Sequence, residues 1–132
     1  MYKRIPLDGS KLSEGVLPYV GFLAGRLRLP VNLLHVNDSE TTVPSVYATD
    51  GAAYLQHVAA TFKAPLTVAW DLEEGRAAET IVDRASKDPG ALITMATHGR
   101  SGIGRWILGS VTDRVICYCG DPVLVIRPAA PL

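Results

Sequence analysis

The stretch Ala91-Leu-Ile-Thr-Met-Ala-Thr-His-Gly-Arg-Ser-Gly-Ile-Gly-Arg-Trp-Ile-Leu-Gly-Ser-Val111 decides how the rest of the chain is read. Its first six residues, Ala91 to Ala96, have the length and apolar character of a buried strand. A polar, glycine-rich run follows, in which Gly99, Gly102, Gly104 and Gly109 alternate with His98, Arg100, Ser101 and Arg105. Beyond Ser110 the period becomes helical, with Val111, Val115 and Tyr118 on one face, Ile116 beside them, and Thr112, Asp113 and Arg114 expected to look outward. A strand that feeds a glycine loop and then a helix can cradle a phosphate. Glycines let backbone N–H groups approach an anion, and the helix start adds unpaired donors and the positive end of its dipole. Ser110 stands where an N-cap hydroxyl would, so it either caps the helix or meets a phosphate oxygen. Neither a Gly-x-x-x-x-Gly-Lys-Ser/Thr loop nor a Gly-x-Gly-x-x-Gly turn after the first strand is present.

Working outward, the segment from Tyr2 to Leu7 reads as a first strand, with Pro6 near its end because proline cannot donate to a ladder. Asp8-Gly-Ser10 turns into a helix, with Ser10 read as its N-cap, whose Leu12, Val16, Val20, Leu23 and Leu27 recur at spacings of three and four. A kink is expected near Pro18. Strand two runs from Val31 to Val36, and residues 37–50 read as a surface loop without periodicity. A helix from about Ala52 to Lys63 should bury Leu55, Val58, Ala59 and Phe62. A strand from Leu66 to Leu72 and a helix from about Ala77 to Ser86, burying Ile81, Val82 and Ala85, come next. The last strand is Pro122 to Ile126.

Five strands alternating with four helices predict an α/β fold: an open five-stranded parallel sheet with helices on both faces. Such sheets bind ligands outside the carboxyl ends of their strands, where the strand order reverses. With the order 3-2-1-4-5, strands 1 and 4 meet at that point. The Asp8-Gly-Ser turn and the glycine loop then flank one crevice.

Length and composition fit this reading. A chain of 132 residues predicts one domain. An apolar content of 48% and a mean hydropathy of +0.18 indicate a substantial core. Thirteen basic and thirteen acidic residues cancel, which argues against a nucleic-acid backbone or an anionic membrane as the main partner. Met1-Tyr-Lys-Arg leads into Ile-Pro-Leu-Asp without an apolar signal region, and no apolar run nears the roughly 18 residues of a membrane span. A cytoplasmic location is therefore expected. Cys117 and Cys119 stand two apart on a predicted helix and point to different sides, so they are read as reduced thiols. No Ser-His-Asp order, catalytic carboxylate pair or Cys/His metal spacing occurs, so an efficient enzyme is not expected.

Ala96-Thr-His-Gly99, nine further residues, and Gly109-Ser110 resemble the Gly-x2-Gly-x9-Gly-Ser/Thr ATP-binding loop of the universal stress protein family. The resemblance continues through Met1-Tyr-Lys-Arg-Ile5, Pro6-Leu-Asp-Gly-Ser10, Leu33-Leu-His-Val36, Gly75-Arg-Ala-Ala-Glu-Thr-Ile81 and Asp121-Pro-Val-Leu-Val-Ile126, and so covers nearly the whole chain except residues 37–50. Two departures stand out. Ala96 replaces the first glycine of the loop. The family usually carries two more apolar residues between Ile5 and Pro6, so either the first strand is clipped or the sequence lacks residues there.

The resemblance implies a Rossmann-like stress-response protein that binds ATP or AMP, with or without Mg2+, and acts as a regulator. The alternatives are a dimeric scaffold without a nucleotide and a slow ATPase. Implied site residues are Pro6, Asp8, Ser10, Val36, Met95, Ala96, Gly99, Arg100, Gly109, Ser110 and Val111. Asp8 reads either as a turn residue or as a ligand of the ribose or its metal, and the backbone at His35-Val36 matches the adenine-contacting segment. His98 reads as a hydrogen-bonding or surface residue rather than a general base, and His57 carries no role. The family also implies a homodimer formed through the edge strand Val123 to Ile126.

Overall fold

The computed structural model describes residues 2–37, 50–63, 65–97 and 109–127. Five parallel strands form one sheet: β1 (Tyr2–Pro6), β2 (Val31–Asn37), β3 (Val68–Glu74), β4 (Ala91–Ala96) and β5 (Val123–Ile126), in the spatial order β3-β2-β1-β4-β5. The described helices are α1 (Lys11–Glu14), α2 (Leu17–Leu27), α3 (Gly51–Ala60), α4 (Ala77–Lys87) and α5 (Ser110–Tyr118).

Strand alternation divides the apolar residues into two layers. Ile5, Val31 and Leu33 face Val16, Val20 and Ala24 of the first helical segment and Tyr54, Leu55 and Val58 of α3. Leu34, Ile93 and Met95 face Ile81 and Ala85 of α4 and Val115 of α5 on the other side. Two strands leave β1 in one direction and two in the other. Right-handed crossovers therefore put α2 and α3 on one face and α4 and α5 on the opposite one.

The expected first helix is two. Continuing a single helix through Pro18 would set its ring against the Glu14 carbonyl and leave that carbonyl unbonded. The chain instead breaks at Gly15-Val16, and Pro18 falls in the first turn of α2, where a missing N–H costs nothing. The buried stripe is Val16, Val20 and Ala24, whereas Leu27 is exposed. β3 lies two residues later than expected and carries Asp71 and Glu73, which Arg84 of α4 bridges at 2.8 and 2.7 Å. Charge on an edge strand suits its half-solvated position.

α5 also turns differently from its period. Thr112 and Val115 are buried, while Tyr118 is 74% exposed and Ile116 lies open to solvent. A threonine is tolerated inside because its Oγ1 donates to the Ala96 carbonyl at 2.9 Å. Cys117 and Cys119 are free thiols.

The composition of β1 has an energetic consequence. Lys3 and Arg4 occupy central sheet positions, register with Val31 and Asn32 of β2 and Leu92 and Ile93 of β4, and are fully buried. Arg4 Nη2 donates to Tyr2 Oη and, at 3.2 Å, to Asp88 Oδ2, while Tyr2 Oη donates to the same carboxylate at 2.7 Å. Burial and its hydrogen bond to Asp88 push the Tyr2 phenol up to about 12. Lys3 Nζ has no partner, and burial pulls its pKa below 10.5.

A buried, unsatisfied donor costs about 1–3 kcal/mol, and more if charged. Lys3→Met is therefore expected to raise the unfolding free energy by at least about 1 kcal/mol at pH 7, read from urea melts. The folded-state pKa lies below the unfolded 10.5, so between those values the unfolded chain holds the extra proton and wild-type stability climbs with pH. The gap between variant and wild type should accordingly narrow on titration from pH 7 towards 10.5. A gap that widens would contradict the burial of Lys3.

Candidate functional site at the carboxyl ends of β1 and β4

β1 pairs with β4 only from Tyr2↔Ala91 to Arg4↔Ile93, and with β2 as far as Pro6↔Leu34. Past Arg4 the two central strands part. Leu7 N donates to the Leu34 carbonyl at 2.8 Å, holding β1 to β2, and Thr97 N donates to the Ile126 carbonyl at 3.0 Å, holding β4 to β5. Neighbours thus draw the two strand ends in opposite directions, and a crevice opens between them at the switch point.

The β1 side is a fixed turn. Gly9 takes φ 89°, a left-handed value that glycine meets without strain. Asp8 Oδ1 accepts from Ser10 N at 2.8 Å and from Ser10 Oγ at 2.5 Å. Ser10 Oγ in turn accepts from Ser13 N at 3.1 Å, so Ser10 is the N-cap of α1 as its sequence position predicted. Asp8 itself is exposed. It therefore acts as a turn residue while leaving its carboxylate group at the crevice mouth.

Glu14, Gly51 and Tyr54 at this end had no functional signal in the sequence, and His35 had one only through its backbone. The His35 ring donates through Nδ1 to the Leu7 carbonyl at 2.7 Å and meets the Tyr54 ring edge-on at 5.7 Å. Burial, and then the nearby Glu14 and Asp8 carboxylates, push the Tyr54 phenol well above its usual range. A Cβ at Gly51 would come within 2.7 Å of Leu72 Cδ1 and 2.9 Å of His35 Cδ2, so α3 approaches the sheet closely enough there to hold the imidazole in place. Only tertiary contact could reveal this cluster, because its members come from α1, β2 and α3.

On the β4 side, Gly109 is the buried N-cap of α5, with φ −61° and ψ 149° and no side-chain cap bond. Ser110 is the first helical residue and exposed, which corrects the expectation that it caps the helix. The first-turn amides lack intrahelical acceptors, and the Thr112 bond to Ala96 fastens this turn to the end of β4. Val36, Met95 and Val111 turn their side chains into the α4/α5 layer. What they can offer a ligand is backbone. Ala96 packs its methyl against the α2/α3 layer. Gly99 and Arg100, with His98 and Arg105, lie outside the described residues. Among the described residues, no three His, Cys, Asp or Glu side chains are grouped to hold a metal ion, and no helix is long and apolar enough to cross a membrane.

This is the architecture of a doubly wound, open α/β domain whose crevice sits at the point of strand reversal. The universal stress protein family model matches residues 1–127. The chain belongs to the universal stress protein family. A universal stress protein of Methanocaldococcus jannaschii is 44% identical over 57 residues, 43% of this chain, and the aligned stretch spans only 34% of that relative's length. Among solved structures, a universal stress protein in complex with cAMP superposes with a TM-score of 0.72 at 20% identity, over 97% of this chain and 98% of that one. One from Archaeoglobus fulgidus in complex with dAMP gives 0.67 at 20% identity, over 96% and 97%.

The join between α5 and β4 can be tested directly. Thr112→Val keeps the shape but leaves the Ala96 carbonyl without its donor, and should lower stability by about 1 kcal/mol, measured by chemical denaturation. An unchanged midpoint would mean that the bond does not form in solution.

Proposed function

We propose that this chain binds an adenine nucleotide, ATP or AMP, between the ends of β1 and β4, and acts in the cytoplasm as a nucleotide-dependent stress regulator without efficient turnover. The observation that carries the reading is the parting of β1 and β4 beside an α5 N-terminus opened by a glycine cap and tied to Ala96. Such a terminus favours a phosphate through its free amides and its dipole. The cAMP and dAMP complexes of structurally similar proteins support the choice of an adenine nucleotide. The exposed Asp8 carboxylate suits ribose hydroxyls. A magnesium ion would be held chiefly by phosphate and water, since the described residues group no cage of ligands.

Gly109 sits at backbone angles open to any residue, so Gly109→Val should abolish ATP binding while moving the nucleotide-free melting temperature by only a few degrees. Asp8→Ala should weaken ATP but hardly affect bare polyphosphate, and Ala96→Gly should bind ATP as well as wild type or better. Calorimetric titration of these variants separates the readings. If wild type gives no heat with ATP, ADP or AMP and Ala96→Gly does not rescue binding, the scaffold alternative stands. Phosphate release in ATP and magnesium should stay below about one per second, the low end of ordinary enzymes.

The scaffold alternative draws on β5, a four-residue edge strand with all residues half-buried. An edge of that kind invites pairing with a second chain, and a two-fold β5–β5 homodimer is proposed for either reading. Light scattering at micromolar concentration should give twice the chain mass; a monomer would refute it.

A further inference from the structure

A second concavity lies away from the crevice, between α2 and the chain that leaves α3 for β3. It is an open groove of about 660 Å³ lined mainly by Leu17, Phe22, Phe62, Leu66 and two glycines, with Lys63 at its rim. That volume falls within the range of small-molecule sites, which combine apolar walls with a few polar groups that orient the ligand.

Three features bear on its occupant. Gly21 and Gly25, one turn apart on α2, form its floor, and a Cβ on either would meet nothing within 4 Å. Glycine weakens a helix interior, so these positions forgo stability that alanine would supply without a clash, and the space stays open. Phe22 is 61% exposed, with the Arg26 guanidinium 5.2 Å from its ring centre. Charge is also one-sided. The residues lining the groove include Lys63 but no Asp or Glu, and Arg26 stands beside Phe22, although the chain as a whole has thirteen acidic residues.

An apolar trough with a cationic rim suits an apolar chain that ends in an anion. We propose that the groove binds a free long-chain fatty acid, with its acyl chain along Gly21 and Gly25 between Phe22 and Phe62 and its carboxylate at Lys63. The concave floor favours a single inserted chain over a flat lipid surface. This site is separate from the nucleotide crevice, and its test does not depend on nucleotide binding.

The probe is dodecanoate below its micellar concentration, titrated calorimetrically into the purified chain, with dodecylammonium and anionic phospholipid vesicles as comparisons. Saturable one-to-one binding of dodecanoate is expected, weakened about tenfold or more by Lys63→Glu. Gly21→Leu should fill the floor and weaken binding to at least the same degree. Gly21→Ala should raise the melting temperature, which shows that the position tolerates a side chain. Dodecylammonium binding as tightly as dodecanoate, unchanged affinity in Gly21→Leu, or binding to vesicles without binding to monomeric dodecanoate would each overturn the proposal.

Discussion

The structure depends on β1, the one strand from which the sheet grows in both directions. It is hydrogen-bonded to β2 along its length but to β4 only over its first half. Where that second ladder stops, the sheet has a gap at its carboxyl edge. The position of the crevice, the placing of helices on opposite faces, and the nearness of the Asp8 turn to α5 all follow from this half-made pairing. A full ladder between β1 and β4 would close the gap.

The same strand concentrates the cost of the fold. β1 places a lysine and an arginine where both layers need apolar residues. Arg4 is partly compensated by Asp88 and Tyr2, but two of its nitrogens and Lys3 Nζ find no partner. The apolar residues around them carry the burden: Ile5, Leu33, Leu34 and Ile93 are fully or almost fully buried beside these charges. The centre of the sheet is thus well packed yet poorly satisfied in its polar groups, an uncommon combination in a small domain.

The two concavities differ in kind. The crevice is backbone-rich: its walls are strand ends, a left-handed glycine, a glycine cap and short polar side chains, which suits a ligand read through phosphate and hydroxyl groups. The groove between α2 and the α3–β3 connection is made of side chains, apolar on its floor and basic at its rim. One chain therefore offers two chemically distinct surfaces, on different elements and without shared lining residues.

The sequence by itself determined an open parallel sheet with helices on both faces, because apolar runs of strand length alternate with amphipathic periods. Handedness alone does not select the order 3-2-1-4-5, which rested on the family resemblance and is the order observed. The sequence also determined β4 to the residue and the Ser10 cap, since both are local signals. Most of the candidate site was legible as Asp8-Gly-Ser and Gly109-Ser110, turn and helix-start chemistry written in consecutive residues. Other features needed the tertiary structure. Thr112 turns inward because a carbonyl from another element, Ala96, can take its proton, and helical period says nothing of that acceptor. The disturbance of the first helix was legible as a kink near Pro18, but its form, a break at Gly15-Val16 into two helices, came from the structure. His35, Tyr54 and Glu14 gather because α1, β2 and α3 converge at one edge, a convergence that no local pattern encodes. Lys3 and Arg4, near the start of a chain where charge is ordinary, are buried only because the strand pairs on both sides and is covered by helices on both faces.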